Sequence, residues 1–476
     1  MKLPDVTLAT LRSRENISFG YMYLSAVLKQ HGSRVRLIAA EDGADLVRQF
    51  ERAPTPVVGV SATTGLHRVY LRWARALKRA RPEAHLIFGG PHPTYFPEMV
   101  NERGVDAICI GEGEESLVEY LQCWRESGGP PPAPIPGFRH WHRGQLLDGG
   151  LRPPVADLDR LPSPDWALCF ALNPRLARHP VKSFLASRGC PHRCSYCFNR
   201  TWNAMYRGPG IRTIRFRSPE QVVAEIAEVR RRWGMRLVWF LDSNFALKRR
   251  WLGRLLLLYR REIGLPFFCK VRPSSVDDDL VQMLVDAGCT SVGIGIEAGD
   301  PELRNGLLDR DLSDEQIVRA CRAFYDRGVR VMSFNMVGLP GERYEQARRT
   351  LTLNVAAGVD YAMTMFLQPF PGTEIARRAR ELGLFDGDFG ALDCSYFQPS
   401  TLRFGEDADD RRRIVNLQRL MALSVSFPAV RRHLDRLVGL PENRFYLELF
   451  KAYNHHAFHH QFYRAYGLVR RARRRA

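Results

Sequence analysis

The sequence predicts an α/β chain in three parts: a parallel sheet wound on both faces, a run of six strand–helix units, and a helical C-terminal region. Three observations carry this. Residues up to about 125 alternate apolar strands (Arg34–Ala39, Val57–Ala62, His85–Gly89, Asp106–Ile110) with amphipathic stretches such as Val69–Arg79, the pattern of a parallel sheet with covering helices. A second alternation runs from Lys182 to about Gly383, and beyond Ser400 the strand signal fades. The expected architecture is therefore an N-terminal Rossmann-like doubly wound sheet, a (βα)6 partial TIM barrel, and helices rich in arginine and aromatics over Arg411–Arg436 and Asn443–Arg475.

In the first part each strand ends in a small or glycine-rich turn. These are Ser61-Ala62-Thr63-Thr64, Gly89-Gly90-Pro91-His92 and Gly111-Glu112-Gly113-Glu114. Ligands of open α/β sheets bind at the carboxyl ends of strands, so the three turns are expected to line one edge. Gly128–Gly137 holds five prolines and three glycines, a stiff loop or linker; Arg139–Gly150 reads as a small hairpin. The divisions expected are 1–127, a linker over 128–175, the barrel over 176–385 and the helical region over 386–476. The six barrel strands are Lys182–Arg188, Arg236–Leu241, Phe267–Val271, Thr290–Ile296, Val329–Val337 and Tyr361–Leu367. Ser218-Pro219-Glu220-Gln221 and Ser313-Asp314-Glu315-Gln316 are helix-starting capping boxes, closed by Gly234 and Gly328.

Composition narrows the class. The chain has 476 residues, 45% of them apolar, so disorder is not its main state. No stretch approaches the ~18 apolar residues of a membrane span, and Met1–Asp5 lacks the apolar core of a secretory signal. A cytoplasmic protein is expected. The net charge of +19 invites a nucleic-acid reading, but the arginines are scattered and read as solvated helix faces. The one cluster is Val469–Ala476. It reads as a solvated end, with contact to an anionic membrane surface as the alternative. His455, His456, His459 and His460 have spacing that could bind metal on a helix, and read as an aromatic packing face instead.

Of ten cysteines, seven are isolated, and several of these lie in apolar strands and read as small buried hydrophobes. Cys190, Cys194 and Cys197 are bunched as CxxxCxxC directly after the first barrel strand. Structural zinc takes four ligands, usually in short-spaced pairs, and there is no second pair. A 4Fe–4S cube usually takes four cysteines; three leave one iron open for chemistry.

This loop, Gly189-Cys190-Pro191-His192-Arg193-Cys194-Ser195-Tyr196-Cys197, resembles the signature of the radical S-adenosylmethionine (SAM) superfamily. The resemblance implies that Cys190, Cys194 and Cys197 hold a 4Fe–4S cluster whose open iron is chelated by SAM, and that Tyr196 lies near the adenine. Phe240–Phe245, with Asp242 and Asn244, resembles the second-strand end of many cobalamin-type members, facing the methionine moiety. Arg272 ends the third strand. Gly293–Gly299 resembles the fourth-strand motif, with Glu297 at the ribose hydroxyls. Gly338–Glu342 and Pro371-Gly372-Thr373 resemble the turns after strands five and six. The N-terminal part is similar to the cobalamin-binding domain of one branch of the superfamily. Ser61, Thr63, Thr64, Gly89, Gly90, Gly111, Glu112 and Gly113 are the expected contacts. Leu11–Asn16 lacks the histidine that ligates cobalt from below in some cobalamin proteins.

The resemblance covers about four fifths of the chain. It implies a cobalamin-dependent radical SAM enzyme methylating an unactivated carbon or phosphorus of a small-molecule, lipid or peptide substrate. The route implied is a 5′-deoxyadenosyl radical and methylcobalamin, with substrate lying between the two domains. An external electron donor such as flavodoxin or ferredoxin is implied too. The alternative is non-methylating cyclisation or rearrangement, for example of tetrapyrroles. RNA modification is disfavoured, because the N-terminal part holds only Cys109 and Cys123 and the C-terminus reads helical.

Overall fold

The computed structural model describes residues 3–12, 18–393 and 395–457, which form two compact units. The first comprises residues up to His179 together with Asn203–Arg215 and a short segment from Phe389. The second comprises Pro180–Trp202, Phe216–Asp388 and the described residues from Ser395 onward.

The sheet of the first unit has seven strands: β1 (Val6–Leu11), β2 (Val35–Ala40), β3 (Val57–Ser61), β4 (His85–Gly89), β5 (Ala107–Cys109), β6 (Phe138–His142) and β7 (Gln145–Asp148). Their order is β2-β1-β3-β4-β5-β6-β7. The first five are parallel and the last two antiparallel. Parallel strands need cover on both faces, and their alternation supplies it. Ile38, Val58, Val60, Leu86, Phe88 and Ile108 meet Leu46, Phe50, Trp73 and Leu77 on one face. Val6, Leu8, Val57, Ile87 and Ala107 meet Tyr21, Leu28, Leu117 and Tyr120 on the other. The expected hairpin over Arg139–Gly150 is the β6–β7 pair, which extends this sheet.

The six strands of the second unit are β8 (Val181–Phe184), β9 (Leu237–Phe240), β10 (Phe267–Val271), β11 (Cys289–Glu297), β12 (Arg330–Val337) and β13 (Tyr361–Phe366). They lie side by side in sequence order, all parallel, as an open (βα)6 barrel. The first expected strand, Lys182–Arg188, is shorter: β8 ends at Phe184, and Ser187–Arg188 pairs separately. Helix starts follow local chemistry. Ser313 and Gln316 form a reciprocal capping box, and the Gln221 N–H donates to the Ser218 hydroxyl at 3.3 Å.

Two faces of the barrel sheet differ in kind. Val238, Phe240, Phe267, Cys269, Val292, Ile294, Val331 and Val337 are buried on the helix-covered face. On the inner face, residues near the amino ends are buried, and several toward the carboxyl ends are half-buried. Phe268, Met332 and Tyr361 belong to the first group. Trp239, Lys270, Gly295, Phe334, Met363 and Met365 belong to the second. The floor is closed by Ala422, Tyr453 and Ala457 of the C-terminal helices packing on Phe268, Met332 and Tyr361.

The expected single helix over Arg411–Arg436 is corrected by the structure. It forms α1 (Ala408–Ser426), breaks at Phe427-Pro428, and resumes as two short turns, Pro428–Arg432 and Leu434–Val438. Proline has no N–H to continue the helix and clashes with the preceding turn. The last described helix is Arg444–His456. His459, His460 and the basic tail lie outside the described residues; His455 and His456 are exposed at the end of that helix.

Candidate functional site

The cysteine loop is clamped from several directions inside the second unit. The Ser195 N–H donates to the Leu308 carbonyl at 3.1 Å, and its hydroxyl donates to the Leu307 carbonyl at 2.7 Å. Its own carbonyl accepts from the Ile375 N–H at 2.9 Å. Arg200 reaches the Arg193 carbonyl at 2.9 Å and pairs with Asp309, which Arg378 holds from the other side at 2.9 Å. A loop so tethered presents its side chains in one geometry.

The three sulfurs lie within one another's electrostatic reach, and donors converge on each. The His192 backbone N–H serves Cys190. Asn199 serves Cys197, with Nδ2 at 3.5 Å. Arg272 and Arg310 approach the Cys194 sulfur at 3.7 and 3.6 Å. Burial pushes the Cys190 and Cys197 thiols up, so without metal they are neutral; a coordinating metal deprotonates such a thiol. Among the described residues, no three His, Cys, Asp or Glu side chains gather tightly enough for a single ion. A cluster whose sulfurs bind three different irons is a wider target. Donors aimed at every sulfur are the outer-sphere contacts that thiolate ligands use, so the residues fit a cysteine-bound cluster.

Around the loop stand the other expected residues. Glu297 is buried, at φ +69°, past a register shift between β11 and β12. Such a bulge re-aims a side chain. Burial raises its carboxyl, opposed by Arg310 at 4.0 Å and by the Tyr196 hydroxyl. Tyr196 accepts from Arg310 at 3.3 Å; desolvation, then Glu297, pushes its phenol up. Asp242 accepts from the Ser187 hydroxyl and from the Ala186 N–H, the latter at 3.3 Å, and burial raises its carboxyl. Asn244 is buried; Oδ1 accepts from the Ala246 N–H at 3.2 Å while Nδ2 has no partner. An orphaned buried donor beside the loop fits an acceptor on a bound ligand.

Arg310 was not among the residues singled out from sequence. It lies in Asp309-Arg310-Asp311, where both aspartates have positive φ. An arginine between two acids, three residues before the Ser313 capping box, reads as solvated surface. Its Nε is buried without a partner, while its Nη atoms serve Cys194, Tyr196 and the Gly295 carbonyl.

In the first unit the three turns meet at the carboxyl edge of β3, β4 and β5. The Ser61 N–H donates to the Tyr21 hydroxyl at 2.7 Å, which donates to the Ala9 carbonyl at 2.6 Å. The Ala62 N–H reaches the Gly89 carbonyl at 2.8 Å, and the His92 N–H reaches the Ala62 carbonyl at 2.9 Å. Gly90 has φ +89°, and a Cβ there would lie 2.6 Å from the Ser61 hydroxyl oxygen, so this junction requires glycine. Thr94 accepts from the Gly111 N–H at 3.1 Å and donates to the Gly90 carbonyl at 2.8 Å. Thr63 is exposed; Thr64 is buried, 3.0 Å from His92 Nδ1. His92 stacks on His67, a partner not singled out from sequence, at 3.9 Å between ring centres; burial lowers both, His92 to about 3. The outcome is a shelf of small residues at the switch point of a 2-1-3-4-5 parallel order, where ligands bind in such sheets. That shelf fits a flat macrocycle.

Glu112 behaves differently. Its carboxylate receives both Arg215 Nη atoms at 2.7 Å and the Val155 N–H at 2.9 Å, so it is engaged within the unit. Gly113 starts the helix Gly113–Ser127 and lies against Leu24 and Cys109. Leu11 and Arg12 are described, but the segment expected to lack a cobalt-ligating histidine continues through residues 13–16, outside the described residues. Among the described residues no helix is long and apolar enough to cross a membrane.

Comparison with known proteins bears on both units. Residues 184–353 match the model of the radical SAM superfamily, and residues 8–121 match that of the B12 binding domain. An uncharacterized methyltransferase of Pyrococcus horikoshii is 24% identical over 75% of this chain and 77% of its own length. The anaerobic magnesium-protoporphyrin IX monomethyl ester cyclase of Rubrivivax gelatinosus is 24% identical over 81% of this chain and 71% of its own. The structure of the radical SAM methyltransferase TsrM from Kitasatospora setae, with cobalamin and a [4Fe-4S] cluster bound, has a TM-score of 0.65. It is 20% identical, covering 80% of this chain and 78% of that one. The cobalamin-dependent SAM radical enzyme OxsB, with aqua-cobalamin and SAM bound, has a TM-score of 0.68 at 14% identity, covering 97% of this chain and 72% of that one.

Proposed function

We propose that this chain, whose two units match the B12 binding domain and the radical SAM superfamily, is a cobalamin-dependent radical SAM enzyme that methylates an unactivated carbon, or a phosphorus, of an organic substrate. The observation that carries this reading is the union of a B12 binding domain and a radical SAM domain on one chain whose relatives include proteins named methyltransferases. When bound, the cluster and SAM supply radical hydrogen abstraction, and cobalamin supplies a transferable methyl group.

The chain's own residues position these groups. Cys190, Cys194 and Cys197 hold the cluster, and Arg272 and Arg310 offset the negative charge of the Cys194 sulfur. Glu297 accepts from ribose hydroxyls, and Asn244 Nδ2 donates to the methionine moiety. The small-residue shelf of the first unit carries the corrin. The Trp239, Phe334 and Met363 walls of the barrel keep water from reactive species. A reducing cytosol, with a flavodoxin or ferredoxin as electron donor, is the setting that keeps the loop cysteines available to iron.

Relatives named as cyclases favour a second reading, ring formation without methyl transfer. The protein is reconstituted without oxygen, hydroxocobalamin is offered, and iron and cobalt are counted. SAM and a reductant are then added, and S-adenosylhomocysteine and 5′-deoxyadenosine are quantified. About four irons, bound cobalt and both nucleoside products are expected. Iron without cobalt overturns the cobalamin chemistry. 5′-Deoxyadenosine without S-adenosylhomocysteine overturns methyl transfer in favour of the cyclase reading.

A further inference from the structure

Lys270 occupies an unusual place in the barrel. It is the fourth residue of β10, on the inner face between the floor residue Phe268 and the cluster-facing Arg272. Its stem crosses Gly293 of the neighbouring strand: a Cβ on Gly293 would lie 3.1 Å from Lys270 Cγ and 2.8 Å from both the Phe268 and Phe334 rings. The missing side chain at Gly293 opens the path that Lys270 takes into the lumen.

The ammonium has no hydrogen-bond or ion-pair partner among the described residues. Asp242, the acid that acts on it, is engaged by Ser187 and the Ala186 N–H, and Glu297, farther along the inner face, by Arg310 and Tyr196. Arg272 and Arg310, the other inner cations, have acceptors. Burial pulls Lys270 down, while Asp242 and Cys197 act at longer range to hold its charge. Apolar side chains share the inner face with it: Trp239, on the neighbouring β9, stacks on Phe268 at 3.9 Å between ring centres, and farther round the sheet Phe334 of β12 and Met363 and Met365 of β13 are half-buried. An unpaired cation in an apolar cleft is costly, and an anion arriving with a ligand relieves that cost.

We propose that Lys270 is a specificity-determining residue that receives the anionic group of an apolar substrate, such as a carboxylate on an aromatic or otherwise hydrophobic body. The proposal rests on the reading of the second unit as the radical SAM barrel, and not on whether methyl transfer or cyclisation follows. The charge selects the anion, the aromatic and methionine walls accept its apolar body, and the substrate is seated beneath the cluster loop.

Binding without turnover tests this. The full chain, reconstituted with iron, sulfide and cobalamin, is examined by equilibrium dialysis with 1-naphthaleneacetate and with its neutral amide, which share one apolar body. Wild type is expected to hold the acid about tenfold more tightly than the amide, the range of one buried charge-assisted contact. Lys270→Met should abolish the preference and Lys270→Arg should keep it, with iron content and SAM affinity unchanged in both. Equal retention of acid and amide by wild type, retention of neither, or an undiminished preference in Lys270→Met overturns the proposal. Loss of SAM binding in Lys270→Met also overturns it, assigning the lysine to the SAM carboxylate. Lys270→Gln repeats the comparison should the methionine variant lose iron; loss in both makes the lysine structural and overturns it too. Because no product is measured, failure of the methylation reading leaves these outcomes legible.

Discussion

Glu297 adopts a backbone state, φ +69°, that non-glycine residues rarely enter. The register shift beside it turns its carboxylate back over Gly295, where a Cβ would overlap it. That strain persists only because surrounding contacts hold it. If the carboxylate receives the ribose hydroxyls, Glu297→Gln should weaken SAM binding by about tenfold or more with iron content unchanged. Isothermal titration of the reconstituted protein measures this, and an unaltered affinity removes Glu297 from the cofactor site. Glu342, in the turn after β12, is buried with Oε1 unpartnered, and burial raises its carboxyl to about 8. The folded state then binds a proton that the unfolded chain releases above its ordinary value near 4.5. Stability should fall as pH rises from about 4.5 to about 8, then level. In Glu342→Gln this slope should disappear, leaving the variant relatively more stable at pH 8 than at pH 5. Melting temperatures across that range decide it. The sequence singles out the cysteines and Glu297 because their spacing and order suggest the chemistry, and the structure places Cys194, Tyr196 and Glu297 around Arg310. It does not single out Arg310 or Lys270, since one depends on a non-helical turn and the other on which strand face lacks a counter-charge.

Elements show the same division between local chemistry and tertiary context. Five of the six barrel strands were read within two residues, because parallel strands buried on both faces are nearly continuous apolar runs. The sequence predicts one helix over Arg411–Arg436, longer than α1. Every residue from Ile414 to Ser424 is buried, so Arg411, Arg412 and Arg413 flank a core element while Arg419 lies within it. Gln418 Nε2 donates to the Thr364 carbonyl at 2.9 Å and the Phe366 N–H reaches the Tyr396 carbonyl at 2.8 Å. These contacts occupy the free edge of β13, which would otherwise invite another strand. Glycines give a paired test. A Cβ on Gly299 would overlap the Arg349–Thr350 backbone, so Gly299→Ala should destabilise by roughly 3 kcal/mol or more, overpacking against rigid atoms. Gly253, in the helix Arg249–Glu262, has open space around it. Gly253→Ala should stabilise by about 0.5–1 kcal/mol. Denaturant titration of both variants checks the contrast; equal effects would contradict it.

At the scale of the whole molecule, the first unit is built from separated stretches of chain. Composition marks contiguous segments, whereas Asn203–Arg215 and a short segment from Phe389 join a unit whose main stretch ends at His179. No local pattern announces this, because the tie is a pairing across 103 positions, Glu112 with Arg215. Arg215 is buried, and its fork fills both carboxylate oxygens. Arg215→Met should cost about 3–5 kcal/mol, since it strands a buried charge. Glu112→Gln combined with Arg215→Met should recover much of the loss. A double-mutant cycle followed by chemical denaturation measures the coupling, and additive effects would deny it.

The same interleaving sets a clock on synthesis. Ribosomes add roughly 5–20 residues per second, so Glu112 emerges roughly 5–20 s before the arginine that neutralises it. Through that interval the nascent sheet holds an acidic group with no counter-ion at the place where the chain will close. The Glu112–Arg215 pair can close only after the cysteine loop has also left the ribosome, so this tie of the first unit forms once the loop's three cysteines are already exposed.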